Sequence, residues 1–253
     1  MNITEETPFV ISLTSLPTRI SNLKRNIHSL LTQNYTNYEV HLNLPRKTEF
    51  DGVWDETSAH GIEYNERLKI FYVNDVGSIT KIYYTLQRTS NYIISVDDDF
   101  IYHPDMLHEY NNNVKQFPNH VIGFGGIYTV GRETDGTLEF ISCPREPTRV
   151  GAIEGYKSVC YKPEFFDKEF FDTWYKKSWN DDLIIGSWLG YKNISKYVLS
   201  YSKESNFVCD TLTFPLIEAL RNQPSGVHHH RIKEEWNAYQ QFYNSELGEY
   251  LNR

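Results

Sequence analysis

Four short apolar runs divide the first hundred residues. Residues 9–13, Phe9-Val10-Ile11-Ser12-Leu13, read as a strand. Residues 38–44 alternate towards a second strand closed by Pro45, residues 68–73 give a third, and residues 92–96 a fourth. Between them, residues 20–33 set Ile20, Leu23, Ile27, Leu30 and Leu31 on one helical face. Residues 80–88 are also helical in pattern, Pro17 marks a loop over 14–19, and Asp75-Val76-Gly77 marks a turn. Strands alternating with helices predict a parallel sheet with crossover helices.

The second half is less regular. Residues 104–117 read as a helix stopped by Pro118, and residues 121–126 start as a strand and run into glycines. A hairpin or loop is expected over 129–136, an apolar glycine-bearing stretch over 150–161, and an amphipathic aromatic-rich stretch over 165–177. Residues 180–191 begin with two acids and continue apolar, as a helix with a negative first turn does. A polar helix is expected over 234–251. No repeat, low-complexity tract or linker interrupts the chain, so a single domain over 1–253 is expected.

The fourth apolar run ends in Asp97-Asp98-Asp99. A strand buried on both faces would put these acids at its C-terminal end, the edge where open α/β sheets bind ligands. Adjacent like charges repel, so such a cluster is either a solvated acidic loop or a place where a cation relieves the repulsion. Oxygen ligands suit Mg²⁺ or Mn²⁺, with one or two carboxylates and substrate phosphates sharing the ion. Alternation along extended backbone sets Asp97 and Asp99 on one side. Asp99 is then the principal metal ligand, Asp97 faces the ribose or the metal, and Asp98 turns towards a backbone amide or a water.

Composition narrows the choice. The chain has 253 residues, with 40% hydrophobic and 23% charged, as a soluble globular protein does. Its formal net charge of −8, with no basic run, argues against nucleic acid. Residues 1–8 lack the basic and apolar regions of a signal peptide, and no stretch reaches membrane-span length. Cys143, Cys160 and Cys209 are widely spaced, which speaks against a disulfide framework or zinc site. These readings favour the cytoplasm, with peripheral membrane association left open. The 19 Tyr suit packing, and also sugar binding through an apolar face and a polar tip.

Three further groups carry candidate chemistry. Asp181 and Asp182 at a helix start are explained by capping and the helix dipole, or by a fixed general base in Asp182. His228-His229-His230 read as a polar loop or as a source of one or two metal ligands, His228 and His230 being the candidates. Arg19 and Lys81 follow predicted strands, where each is a surface charge or a diphosphate contact. Trp179 and Trp188 flank the acidic pair, as sugar-stacking or packing residues.

Together these residues resemble the nucleotide-sugar-dependent glycosyltransferases of the GT-A fold, and within them the inverting, family-two-like group. The resemblance covers about residues 9–230. Residues 11–20 are similar to that family's first strand and nucleotide-contacting loop, with Thr14 and Arg19 in it. Residues 75–81 resemble its D-x-G-x-x-T-K segment, residues 95–99 its metal motif, and Glu154-Gly155-Tyr156 its donor-side E-G segment. Asp181-Asp182-Leu183-Ile184-Ile185-Gly186 resembles the element whose second acid is the catalytic base. The third Asp in the metal motif departs from the pattern, and the histidines match only loosely.

The resemblance implies a single GT-A-like α/β domain with a Rossmann-like, mostly parallel central sheet flanked by helices. A nucleotide-sugar-binding half would span about 9–105, an acceptor and catalytic half about 120–230, and a C-terminal helix 231–253. It implies Mn²⁺ or Mg²⁺, a nucleoside-diphosphate sugar (a UDP-sugar favoured), a glycan or glycolipid acceptor, and inversion, in polysaccharide biosynthesis. Asp75, Lys81, Asp97, Asp98, Glu154 and Gly155 would join Thr14 and Arg19 around the donor. The rival expectations are a Mg²⁺-dependent nucleotidyltransferase or sugar-phosphate hydrolase, and a non-catalytic glycan- or nucleotide-binding protein of the same fold. The loop Thr14-Ser15-Leu16-Pro17-Thr18-Arg19 lacks the glycines of a nucleotidyltransferase loop.

Overall fold

In a computed structural model, residues 6–47, 54, 62, 65–130, 137–142, 144–177, 180–200, 216–219, 241–242 and 244–251 are described. The chain opens with β1 (Phe9–Thr14), α1 (Ile20–Leu31), β2 (Tyr38–Pro45) and β3 (Leu68–Val73). Then come α2 (Thr80–Tyr83), β4 (Tyr92–Ser95), β5 (Phe100–Tyr102), α3 (Met106–Val114), β6 (Val121–Gly123), β7 (Gly125–Val130) and β8 (Thr137–Ser142). The remainder carries β9 (Thr148–Val150), β10 (Ala152–Ile153), β11 (Val159–Tyr161), α4 (Lys168–Asp172), α5 (Asp181–Tyr191), β12 (Lys196–Val198) and β13 (Leu216–Ala219).

An eight-stranded sheet in the order β3-β2-β1-β4-β11-β6-β12-β9 joins the two halves of the chain. Strands β3, β2, β1 and β4 pair in parallel, as the strand–helix alternation predicts. Strand β11 enters antiparallel between β4 and β6, and β9 lies antiparallel to β12 at the edge. Two small antiparallel sheets, β10-β7-β8 and β13-β5, complete the fold.

The sheet is apolar on both faces. Ile94 belongs to the core shared with Leu23 and Ile27 of α1 and Tyr110 of α3. Its neighbour Ile93 points the other way, into the core formed with Ile82 of α2 and Ile184 and Trp188 of α5. A strand with both faces buried needs a continuous apolar run, which Tyr92-Ile93-Ile94 supplies.

Several predicted helices are shorter than expected. The 80–88 segment is one α-turn, α2, followed by a 3₁₀ turn at Thr85–Gln87. The 165–177 segment, expected as an amphipathic aromatic-rich stretch, forms α4 between two 3₁₀ turns, and Phe166, Phe170 and Trp174 join the core around Trp188. Of the C-terminal helix expected over 231–253, residues 241–242 are helical and the described residues after them are not. Residues 244–247 are turns and bends, and Gly248–Tyr250 is a single 3₁₀ turn. Tertiary docking explains this. Gly186, Ser187 and Gly190 leave room along α5, Ser187 Oγ donates to Leu247 O, and Lys196 Nζ donates to Leu251 O at 3.2 Å. Contacts of this kind override a weak local helix preference.

Gly190 shows how tight that seat is. A Cβ there would lie 1.7 Å from Tyr250 O. Gly190→Ala is therefore expected to destabilise by about 1–3 kcal/mol, outweighing a helix-propensity gain of about 1 kcal/mol. Urea unfolding measures it, and an unchanged midpoint would mean that 244–251 does not sit against α5.

Candidate functional site

The acidic triplet lies beyond β4, at the C-terminal ends of β1, β2 and β4. The three carboxylates have different surroundings. Asp97 accepts a bond from Lys81 Nζ at 3.0 Å. Asp98 is 4% exposed and turns inward, accepting from Arg19 Nη1 at 2.8 Å and from Ser15 Oγ. Burial pushes the Asp98 carboxyl up, and Arg19 and Ser15 offset part of that. Burial alone would lower Arg19, but its attraction to Asp98, Asp99 and Asp97 leaves the guanidinium raised. Asp98 thus ties the loop after β1 to the acidic turn, its protein partners being a hydroxyl and a guanidinium rather than a backbone amide. Asp99 is half-buried.

Lys81 reaches the site because the preceding turn delivers it there. Gly77 adopts φ +82°, a conformation open to glycine. Its N–H donates to Asp75 Oδ1 at 2.9 Å, and Val76 N–H donates to Thr80 Oγ1 at 3.1 Å. The D-x-G-x-x-T-K pattern is in this sense a turn that aims a lysine. Asp75 itself is exposed at its rim. A buried polar knot then fixes Lys81's backbone. Ser12 Oγ donates to Lys81 O and lies 2.6 Å from Thr85 Oγ1, while Asn43 Nδ2 bonds Thr85 Oγ1 at 3.1 Å. Asn43 is held in turn by Arg88 Nη1 at 2.8 Å, and its carbonyl accepts from Thr14 Oγ1 at 2.7 Å.

The Lys81 side chain is 9% exposed, and its ammonium sits 3.0 Å from Asp97 and 2.6 Å from Asp181. The Asp181 contact is an ion pair whose Oδ2 lacks good hydrogen-bond angles. Burial would lower this lysine, but Asp181, Asp97 and Asp182 outweigh it and hold the ammonium well above its ordinary value. It therefore stays charged.

On the other side stands α5. Asn180 Oδ1 caps it by accepting from Leu183 N at 3.0 Å, and Asp181 and Asp182 fill the first turn. Asp182 Oδ1 accepts from Gly155 N at 3.0 Å. A Cβ at Gly155 would lie 2.5 Å from Lys81 Nζ and 3.1 Å from Asp182 Oδ1, so a larger residue there would have to displace the ammonium. Burial and then Asp181 raise the Asp182 carboxyl well above its ordinary value, with Lys81 opposing and Asp97 and Glu154 adding to the rise. A carboxyl with a raised pKa can accept a proton near neutral pH.

Lys81 and Gly155 thus bring together Asp97, Asp181 and Asp182 from both halves of the chain. Glu154 adjoins them and is buried. Arg19 joins through Asp98, whereas Thr14 and Asp75 serve the strand end and the turn. His228, His230 and Trp179 lie outside the described residues. Trp188 is core, its indole N–H donating to Phe165 O at 2.9 Å. Sequence reasoning missed Ser12, Ser15, Asn26, Asn43 and Tyr102. All five are buried, Ser15 in the loop after β1 and the others within strands or α1, and burial is a signal that spacing does not reveal.

Six carboxyls, those of Asp97, Asp98, Asp99, Glu154, Asp181 and Asp182, face two cations, Arg19 and Lys81. Among the described residues no group of three or more His, Cys, Asp and Glu side chains gathers to hold a metal. The donor set nevertheless fits a hard divalent ion that takes further ligands from phosphate and water.

The sequence matches no protein-family profile and no curated protein. Among solved structures, the fold is similar to a mannosyltransferase from Pyrobaculum calidifontis, solved in complex with GDP-Man and Mn²⁺. The TM-score is 0.56 at 12% identity, over 91% of this chain and 61% of that one. The present chain therefore spans about three-fifths of that protein. At this identity the likeness establishes the fold, a mixed α/β domain with a mostly parallel central sheet shared with a glycosyltransferase.

Proposed function

We propose that this chain is a divalent-metal-dependent glycosyltransferase. It moves a sugar from a nucleoside-diphosphate sugar to a hydroxyl of a glycan or glycoconjugate, with inversion. The observation that carries the reading is Lys81. Its ammonium joins Asp97 of the acidic turn to Asp181 beside Asp182, at 3.0 and 2.6 Å. A metal-type acid and a base-type acid meeting at one point, at the ligand edge of a parallel sheet, suit transfer from a diphosphate. The fold likeness to a mannosyltransferase solved with GDP-Man and Mn²⁺ supports it.

In this reading Asp99, with Asp97, holds the cation, and His228 or His230 is the further ligand to test. When bound, the cation neutralises the charge on the departing diphosphate. Arg19, kept in place by Asp98, faces the phosphates, and Thr14 and Asp75 lie towards the nucleoside. Glu154 and Gly155 border the transferred sugar. Asp182 takes the proton of the acceptor hydroxyl while that oxygen attacks the anomeric carbon from the side opposite the leaving group. Lys81 keeps the surrounding acids from repelling one another.

Titration with GDP and UDP, with Mn²⁺ and then with EDTA, tests the reading. GDP is the first probe, because the similar mannosyltransferase holds GDP-Man, which lends no support to the UDP expectation. Metal-dependent binding of a nucleoside diphosphate is expected, and Asp99→Ala should remove the metal dependence. Tight nucleotide binding by Asp99→Ala in EDTA would show that Asp99 holds no bridging ion. Hydrolysis of the donor at full rate without any acceptor would instead favour a hydrolase.

A further inference from the structure

The backbone of Asp97 lies beyond the sheet's hydrogen-bond ladder, and side chains satisfy it. Its N–H donates to Tyr102 Oη at 2.9 Å, and its carbonyl accepts from Asn26 Nδ2 at 2.9 Å. Asn26 also donates to Phe100 O at 2.8 Å, so it closes the acidic turn from both ends. Asn26 and Tyr102 are buried.

The Tyr102 hydroxyl has one proton of its own. It goes to Tyr156 O at 2.9 Å, a closer acceptor than Asp97 O at 3.4 Å. Tyr156 follows Gly155, whose N–H binds Asp182 Oδ1 at 3.0 Å. One buried oxygen therefore touches the backbone of the acidic turn and that of the loop contacting the candidate base. The loop is tightly set. Ser158 adopts φ +69° and ψ 146°, costly for a residue with a Cβ. It is held there by Tyr110 Oη at 2.9 Å from its Oγ and by its own N–H to Gly155 O at 3.0 Å.

We propose that Tyr102 is a positioning residue that locks the acidic turn to the 154–158 loop, so that the cation side and the base side of the site are set together. The proposal rests on the glycosyltransferase reading. Phenylalanine would fill the same space and pack equally well. The hydroxyl is there for its two backbone partners, since a buried O–H without partners is costly.

Tyr102→Phe keeps the ring and removes the link. Its affinity for GDP in saturating Mn²⁺, read by isothermal titration, is expected to fall about tenfold or more, as when the groups orienting metal ligands are removed. Its kcat should fall as well, with Tm lower by only a few degrees. A purely structural role would move Tm and leave the affinity unchanged. Wild-type affinity and kcat in a folded variant would overturn the proposal. No metal-dependent nucleotide binding by the wild type would instead overturn the functional reading, and this proposal with it. Should the variant not fold, amide exchange in the wild type decides. The Asp97 N–H should be protected like that of Val96, which donates to Ser12 O at 3.1 Å. Exchange at the rate of an open turn would overturn the lock.

Discussion

Asp182→Asn is expected to lower sugar transfer by about a hundredfold to ten-thousandfold, the range a positioned general base contributes. Metal-dependent nucleotide binding should survive. The carboxamide has the shape of the carboxyl, and its oxygen can still accept the Gly155 N–H that Asp182 Oδ1 accepts at 3.0 Å. It cannot take a proton from an acceptor hydroxyl. The loss should therefore fall on kcat, with nucleotide affinity close to wild type. A variant that transfers sugar at the normal rate would remove Asp182 from the base role.

The same substitution has a second, opposite effect. Burial, then Asp181, hold the Asp182 carboxyl well above its ordinary value. It binds its proton more tightly folded than unfolded, so its contribution to stability is present below the unfolded pKa and lost as pH rises through the folded one. At neutral pH the wild type carries that cost and Asp182→Asn does not. The variant should melt at a higher temperature than wild type at about pH 8, with the gap narrowing at about pH 4, near the unperturbed carboxylate value. Transfer by the wild type should fall on the acid side, at a pH above the ordinary aspartate range. Equal melting temperatures at both pH values would mean that Asp182 is not strained by its surroundings.

The site was only partly legible in the chain. Apolar runs ending in acids announce themselves, so β1, β2, β3 and β4, the Asp97-Asp98-Asp99 turn and the start of α5 could be read from spacing. Period and charge are local properties. What holds those acids is not local. Asn26 meets the turn across 71 residues, Ser15 meets Asp98 across 83, and Tyr102 meets Tyr156 across 54. In the sequence Asn26 and Tyr102 are polar residues inside an amphipathic or apolar segment, and Ser15 is one more loop serine. The placing of β11 antiparallel within the sheet is equally non-local, since a three-residue run such as Val159–Tyr161 has no direction of its own. Residues 244–251 depart from the expected helix for the complementary reason: the groove at Gly186 and Gly190 that receives them lies some sixty residues away.

Lys81→Met should cost more stability than any other single change at the site, about 3–5 kcal/mol, the usual cost of removing one partner from a buried ion pair. In a chain of this size that lowers Tm by about 10 °C. Methionine fills the lysine's stem volume, so packing is largely kept and the loss is electrostatic. Lys81 is 9% exposed and Asp181 11%, and their charges are 2.6 Å apart. Without the ammonium, Asp181 and Asp97 face Asp182 and one another with no cation in contact. Asp182, already raised, can lessen the repulsion by taking a proton, so the deficit should shrink as pH falls. The intact protein behaves differently. Its lysine is raised above the ordinary value, so, while its carboxylate partners stay ionised, the lysine's contribution is complete below the unfolded lysine pKa and is lost as pH rises through the folded one. Adding Asp181→Asn to Lys81→Met separates charge from shape. Neutralising both partners of a buried pair is often close to neutral in stability, so the double variant should regain part of the lost Tm at about pH 7. Transfer should stay low, because Asp97 and Asp182 still lack the ammonium that spaces them. An unchanged Tm in Lys81→Met, or full activity in the double variant, would show that this lysine does not organise the site.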